Sequence, residues 1–272
     1  MVSTFEAIVL GFVQGITEFL PISSTAHLRI VPAFFGWDDP GAAFTAVTQL
    51  GTMLAVLLFF RTDILRILTA WFRGLRDREV RATLDSRIGW YIVLGTIPIG
   101  IFGLLFKNRI ETGARNLTLI GSTLVVLGLV LLLAERVGKR ERGIATLTRR
   151  DGIVIGLAQA CALIPGVSRS GSTITAGLFL GLEREAAARY SFLLSIPAVV
   201  LSGLLELRKI GDGGGPGVFG TVLATAIAFV VGYVSIAFLL RFLTSNSTVV
   251  FVIYRVCMGL LVLGLVAANV IN

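Results

Sequence analysis

The stretch Gln14-Gly-Ile-Thr-Glu18-Phe-Leu-Pro21-Ile-Ser23-Ser24-Thr25-Ala26-His27 decides how this chain is read. It sets a carboxylate, three consecutive hydroxyls and the single histidine of the chain around a proline, inside an otherwise apolar segment. Polar groups at membrane depth are expensive and mark functional sites. Proline removes a backbone donor and disfavours helix at the residue before it. The segment therefore predicts two half-helices, 5–20 and 22–35, meeting at a non-helical turn. A second run, Pro165-Gly-Val-Ser168-Arg169-Ser170-Gly171-Ser172-Thr173, breaks another apolar stretch between 152–164 and 169–181. Such turns are tolerated at that depth only when buried in protein or lining a wet cavity. The two runs are expected to be re-entrant hairpins that together build one site.

The rest of the chain supplies the membrane. Of 272 residues, 55% are hydrophobic and only 15% charged, against roughly 25% charged in soluble domains. Six segments look able to cross: 43–60, 88–106, 116–134, 190–206, 218–240 and 249–270. Each is close to the roughly 20 residues a helix needs to span the hydrocarbon. The fold class is thus all-α, a polytopic membrane protein with six transmembrane helices and two re-entrant hairpins. No Lys or Arg precedes Arg29, so no cleavable signal peptide is expected. Cys161 and Cys257 lack metal-type spacing and read as buried small hydrophobes.

The net charge of +8 does not point to nucleic acid. Most of it lies in the loops 61–87 and 135–151, the ordinary positive-inside pattern. Sixteen basic residues fall on the face that carries loops 61–87, 135–151, 182–189 and 241–248. Five fall on the opposite face, in 107–115 and 207–217. The first face is expected to be cytoplasmic, so the first hairpin enters from outside and the second from the cytoplasm. Within 61–87, Ile64, Ile67, Leu68, Trp71 and Leu75 form one helical stripe, which suits a helix lying in the interface.

The halves echo one another. Gly11-x-x-Gln14 before Pro21 matches Gly156-x-x-Gln159 before Pro165, and Phe44 with a Gln49-Leu-Gly51 turn precedes Tyr190 and Ser195-Ile-Pro197 by 146 residues. Halves of about 1–135 and 150–272, each with one hairpin and three crossings, must enter the membrane in opposite senses. Inverted repeats with broken helices place a site near the midplane.

The chemistry of the two runs points to an anion. A Gly- and Ser-rich turn opening a helix leaves free backbone N–H groups at the positive end of the helix dipole. Arg169 adds a planar fork suited to phosphate oxygens, while Ser168, Ser170, Ser172 and Thr173 are hydroxyl donors or helix caps. Ser24 and His27 are three apart and share a helix face, the arrangement of a hydroxyl nucleophile and its base. Glu18 could hold a divalent cation, orient His27 or shuttle a proton, and Gln14, one turn earlier, can ligate or hydrogen-bond. Arg255 inside the last crossing either lines the pocket or pairs with a carboxylate.

Together the two runs resemble the signature motifs of the bacterial undecaprenyl-pyrophosphate phosphatase family, the bacitracin-resistance type. The resemblance covers essentially the whole chain, including Gln49-Leu-Gly51, Tyr190–Pro197 and Tyr254-Arg255. It implies hydrolysis of undecaprenyl pyrophosphate to the monophosphate, which recycles the lipid carrier of cell-wall synthesis. It also implies a divalent cation, Mg2+ or Ca2+, an inverted-repeat fold, and a site in the bacterial inner membrane open toward the outer leaflet. Carried over, the acidic motif falls on Gln14 and Glu18, the catalytic histidine on His27 and the hydroxyl nucleophile on Ser24. The phosphate-binding run falls on Ser168, Arg169, Ser170 and Thr173; Ser23, Thr25, Gly171, Ser172 and Arg255 complete the expected substrate contacts. Many members carry Glu where this chain has Gln14, so metal ligation rests on Glu18. The expected partners are a polyprenyl pyrophosphate and membrane lipids, with a homodimer among the assemblies open to it. Two other readings use the same sequence: a transporter of lipid phosphate between leaflets, and a purely structural membrane protein. The nucleophile–base pair favours the enzyme, and whether Ser24 or His27 attacks stays open.

Overall fold

The computed structural model describes residues 2–106, 116–206 and 217–271. The expected loop 107–115 and, but for Gly217, the loop 207–217 lie outside them. Among the described residues there is no strand, only an isolated bridge between Arg142 and Leu182. The chain is an all-α polytopic membrane protein.

Two helices form the first hairpin: α1 (Thr4–Phe19) and α2 (Ser24–Phe35). A capping box of Ser3 and Glu6 starts α1, satisfying two orphan donors reciprocally, and Pro21 keeps it from continuing. Then come α3 (Gly41–Phe59), α4 (Arg61–Gly74), the short α5 (Arg78–Ala82), α6 (Leu84–Leu105) and α7 (Leu117–Val137). The second hairpin is α8 (Arg149–Ala160) and α9 (Arg169–Phe179). The chain closes with α10 (Arg184–Glu206), α11 (Gly217–Ser245) and α12 (Val249–Ala267). Both hairpins thus break where proline predicts.

Helices α6, α7, α11 and α12 are each long and apolar enough to cross a membrane. Helix α3 is joined to α4 by a bend of 76°. The sixth expected crossing, 190–206, is the later part of α10, whose first turns carry Arg184, Glu185 and Arg189. Helix α1 packs along α11, α8 along α6, and α7 along α12. Close approach is written into the sequence: a Cβ on Gly11 would lie 2.5 Å from the Ala224 carbonyl oxygen, and one on Gly156 would collide with the backbone of Gly95.

Three expectations are corrected. Gln49-Leu-Gly51 is no turn; it lies inside α3, as its counterpart Ser195-Ile-Pro197 lies inside α10. The stripe on α4 divides: Ile64, Ile67 and Trp71 turn toward the protein, with Trp71 against Trp90 of α6 (centroids 5.3 Å apart), whereas Leu65, Leu68, Phe72 and Leu75 are exposed. A 76° bend leaves one side of α4 on the bundle and the other free. Cys161 and Cys257 are exposed, because in a membrane protein a small hydrophobe also suits the outer surface.

The four loops assigned to one face are bonded to one another. Arg189 pairs with Asp63, and Arg87 donates to the Leu147 carbonyl (3.2 Å). Glu135, at the end of α7, accepts from Arg184 Nε (2.8 Å) and from the Thr248 hydroxyl (2.7 Å). That face is therefore a single cross-linked surface.

Candidate active site

The two hairpin turns are built alike. Ser23 caps α2 at φ 76° and ψ 98°, and Ser168 caps α9 at φ 70° and ψ 116°. Each hydroxyl accepts from the amide three residues on, Ala26 N at 3.3 Å and Gly171 N at 3.1 Å. A positive φ at a residue with a Cβ costs of order 1–3 kcal/mol and persists only where the surroundings enforce it. Gly166 (φ +81°) turns the second hairpin where an added Cβ would run into the Thr123 hydroxyl.

Arg255 supplies the enforcement. It is 1% exposed and reaches from α12 to carbonyls of both turns: Pro21 at 3.0 Å, Gly166 at 3.1 Å and Val167 at 3.1 Å, with Leu124 of α7 at 3.3 Å. It was expected to line the pocket or meet a carboxylate. Its guanidinium is instead spent on main-chain carbonyls, tying the first hairpin to the second. Gly171 makes room for it, since a Cβ there would sit 2.7 Å from Arg255 Nη1.

Glu18 is the hub of the site. Its Oε2 accepts from Gln14 Nε2 (2.9 Å) and from Ser24 Oγ (2.6 Å). Its Oε1 accepts from Gln49 Nε2 (2.9 Å) and from Arg169 Nη2 (2.5 Å). Four donors from α1, α2, α3 and α9 thus converge on one buried carboxylate. Two polar atoms of the residues gathered around Glu18, Gln14 Oε1 and Arg169 Nε, are buried and without a partner among the described residues. A lone pair and an N–H donor left unpaired beside this hub are what an incoming ligand would satisfy.

The expected pair of Ser24 and His27 does not form. Ser24 donates to Glu18, and both imidazole nitrogens of His27 are engaged elsewhere. Its Nδ1 lies 2.7 Å from the Ser23 carbonyl oxygen and its Nε2 2.6 Å from the Tyr254 hydroxyl. The shared helix face is real, but the first residue of α2 can swing across the turn to Glu18, and the ring folds back on its own cap.

Most hydroxyls of the second run serve the scaffold. Ser168 is the cap; Ser170 Oγ donates to the Leu20 carbonyl (3.1 Å), a further tie between hairpins. Ser172 and Thr173 donate back to the Arg169 carbonyl (3.1 and 2.7 Å), and Thr173 also meets Ser191 Oγ (2.5 Å). In the first run Thr25 Oγ1 lies 3.2 Å from Ser23 Oγ, and Thr25 is exposed. The backbone N–H groups of Ser24, Thr25, Arg169 and Ser170 are not consumed by the caps, as at any helix start. Two residues to which the sequence gives no role, Gln49 and Tyr254, stand in the site. The signal for Gln49 was a lone amide inside an apolar crossing; Tyr254 had none beyond standing next to Arg255.

Residues 7–261 match the family described as bacitracin resistance protein BacA. The undecaprenyl-diphosphatase of Thermobifida fusca is 52% identical over 270 residues, 99% of this chain and 92% of that protein. That of a Nocardioides species is 55% identical over 276 residues, 100% of this chain and 99% of its own length. That of Mycolicibacterium smegmatis is 54% identical over 273 residues, 99% of each.

Proposed function

This chain belongs to the BacA family of bacitracin resistance proteins, and from that premise we propose that it hydrolyses undecaprenyl pyrophosphate to undecaprenyl phosphate and inorganic phosphate. The observation that carries the mechanism is the Ser24 hydroxyl, 2.6 Å from Glu18 Oε2, beside an arginine with an unpaired N–H. That is a nucleophile on its base, next to an anion receptor.

In the first step Ser24 Oγ attacks the terminal phosphorus and passes its proton to Glu18. The anhydride P–O bond breaks and the lipid monophosphate leaves. In the second step water attacks the phosphoserine and gives a proton to His27 Nε2, the departing Ser24 oxygen recovers its own proton from Glu18, and His27 gives its proton up with the leaving inorganic phosphate. Arg169 and the free amides of α2 and α9 hold the phosphoryl oxygens. Phosphoryl transfer is mostly positioning and charge stabilisation, and the free amides at the two helix starts would supply both. Nothing in the fold or the comparisons favours the transporter reading.

The residues also suit a divalent cation. The unpaired Gln14 Oε1, and Glu18 once one of its four donors turns away, are hard oxygen donors of the kind Mg2+ and Ca2+ take. No group of three or more His, Cys, Asp or Glu gathers among the described residues, so the phosphate oxygens would complete the shell. Bound there, the ion offsets the charge of the pyrophosphate.

The chain is further read as two inverted halves, about 1–135 and 150–272. The matched positive-φ caps at Ser23 and Ser168 and the reciprocal packing of α1 on α11 and α8 on α6 support this. The excess of Lys and Arg supports placing the cross-linked loop face in the cytoplasm of a bacterial inner membrane. The site would then open to the outer leaflet, where a pyrophosphorylated carrier is left.

The test is phosphate release from a polyprenyl pyrophosphate by the purified full-length protein. Release that is lost in a folded Ser24→Ala variant supports the reading; no release by folded wild-type protein with Mg2+ or Ca2+ present overturns it.

A further inference from the structure

One contact in the site has no part in the proposed steps. The last helix sends Tyr254 against His27, and the two rings stack with centroids 5.5 Å apart and planes 14° apart. The Tyr254 oxygen lies 2.6 Å from His27 Nε2. On the other side of the ring, Nδ1 faces the Ser23 carbonyl oxygen at 2.7 Å. A carbonyl oxygen can only accept, so Nδ1 carries the proton of the neutral ring. Nε2 is then a lone pair, and Tyr254 O–H must donate to it. The tautomer of His27 is thus set by the cap of its own helix, and the plane of its ring is held from outside that helix.

We propose that Tyr254 is a positioning residue for the reaction: it donates to the Nε2 lone pair of the Nδ1–H tautomer that the Ser23 carbonyl selects, and so holds the ring plane and keeps the basic Nε2 ready until a proton must be taken up. His27 is 4% exposed and Tyr254 is 38% exposed. Tyr254 is therefore the more open member of the pair, and rotation of its hydroxyl away from Nε2 would free that nitrogen for a proton. The neighbouring Arg255 makes the placement rigid, since its guanidinium is bound to the carbonyls of both turns. Adjacent residues of one helix thus orient the backbone of the two hairpins and the imidazole between them. The part of the inference that concerns turnover rests on the hydrolase reading above; the tautomer assignment does not.

The chain has one histidine, so 15N-histidine labelling of the full-length protein in detergent gives a single imidazole. The wild type should show one protonated, pyrrole-type signal at Nδ1 and one pyridine-type signal at Nε2 shielded by its hydrogen bond. Tyr254→Phe keeps the stacked ring and removes the donor. Its Nε2 signal should move downfield to the position of an unbonded nitrogen while Nδ1 stays. Its kcat should fall about tenfold, the scale of one such hydrogen bond, with KM unchanged, because Tyr254 does not hold phosphate. Replacement of Tyr254 by 3-fluorotyrosine, which restores a donor, should return both the shielding and the rate. An Nε2 signal indifferent to Tyr254→Phe, or two pyrrole-type signals in the wild type, overturns the inference whatever the activity. Correct signals with an unchanged kcat overturn the positioning role alone, and phosphate release by the wild type reports separately on the hydrolase reading.

Discussion

Glu18→Gln separates the base from the scaffold at this site. The carboxylate accepts four hydrogen bonds, two on each oxygen; the amide has one acceptor and one donor group. The substitution is tolerable only one way round. With its oxygen kept toward Gln49 and Arg169, the new amide nitrogen faces Gln14 and Ser24. Gln14 can flip to present its Oε1, which has no partner to lose, and Ser24 can accept instead of donate. Packing and all four contacts therefore survive, those with Gln14 and Ser24 in the reverse sense. The loss is the charge opposite Arg169 and the sense of the Ser24 bond. Hydrogen bonds to charged groups contribute about 1.5–3 kcal/mol against about 1 for neutral ones, so the structural cost is about 1–2 kcal/mol. The kinetic cost is larger, because Ser24 then has no group to take its proton. Removing a general base costs about 10²–10⁴ in rate. Phosphate release by Glu18→Gln should fall at least a hundredfold at saturating cation, with the thermal midpoint in detergent lowered only modestly. Glu18→Ala should lose the same turnover and more of the midpoint, since it strands all four donors. Turnover of Glu18→Gln within tenfold of wild type would refute Glu18 as the base, and Ser24 as a nucleophile primed by it.

Arg169→Ala should abolish most phosphate release and Arg169→Lys should recover only part of it, because an ammonium keeps the charge but not the fork; equal, near-full rates for both would count against phosphate binding there. Arg255→Lys should lower the thermal midpoint and kcat together, since one amine cannot reach the carbonyls of Pro21, Gly166 and Val167 at once, and a buried acceptor left unpaired costs about 1–3 kcal/mol. Gln159→Leu should raise the midpoint with the rate unchanged, because Gln159 is fully buried with neither amide atom paired; a lowered midpoint would reveal a partner. Thr25→Cys, in a background without the exposed Cys161 and Cys257, should react with an impermeant thiol reagent added outside intact cells and be protected by pyrophosphate. Labelling only after the inner face is opened would reverse the proposed orientation.

What the sequence discloses here, and what it conceals, has one physical cause. Pro21 and Pro165 act on their own neighbours, so the two breaks and the four half-helices are legible locally. Gln14 and Glu18 are one helical turn apart, so their contact at 2.9 Å is local as well. The spacing of Ser24 and His27 is equally local but decides only a face, and other partners outbid each of them: Glu18 six residues back across the turn, Tyr254 227 residues away. Arg169 meets Glu18 across 151 residues, and Arg255 bridges turns 234 and 89 residues distant. In a low-dielectric interior an ionic group without partners is prohibitive, so the mere presence of Glu18, Arg169 and Arg255 in apolar segments guarantees that each has company. Which company depends on how the hairpins meet, and no local pattern encodes that. The carboxylate found an arginine and three neutral donors. The second arginine found no carboxylate and took carbonyl oxygens, which a strained turn leaves unpaired. Chain breaks made for re-entry thus create the acceptors that hold the two halves of the site together, and Arg255 is the residue that uses them.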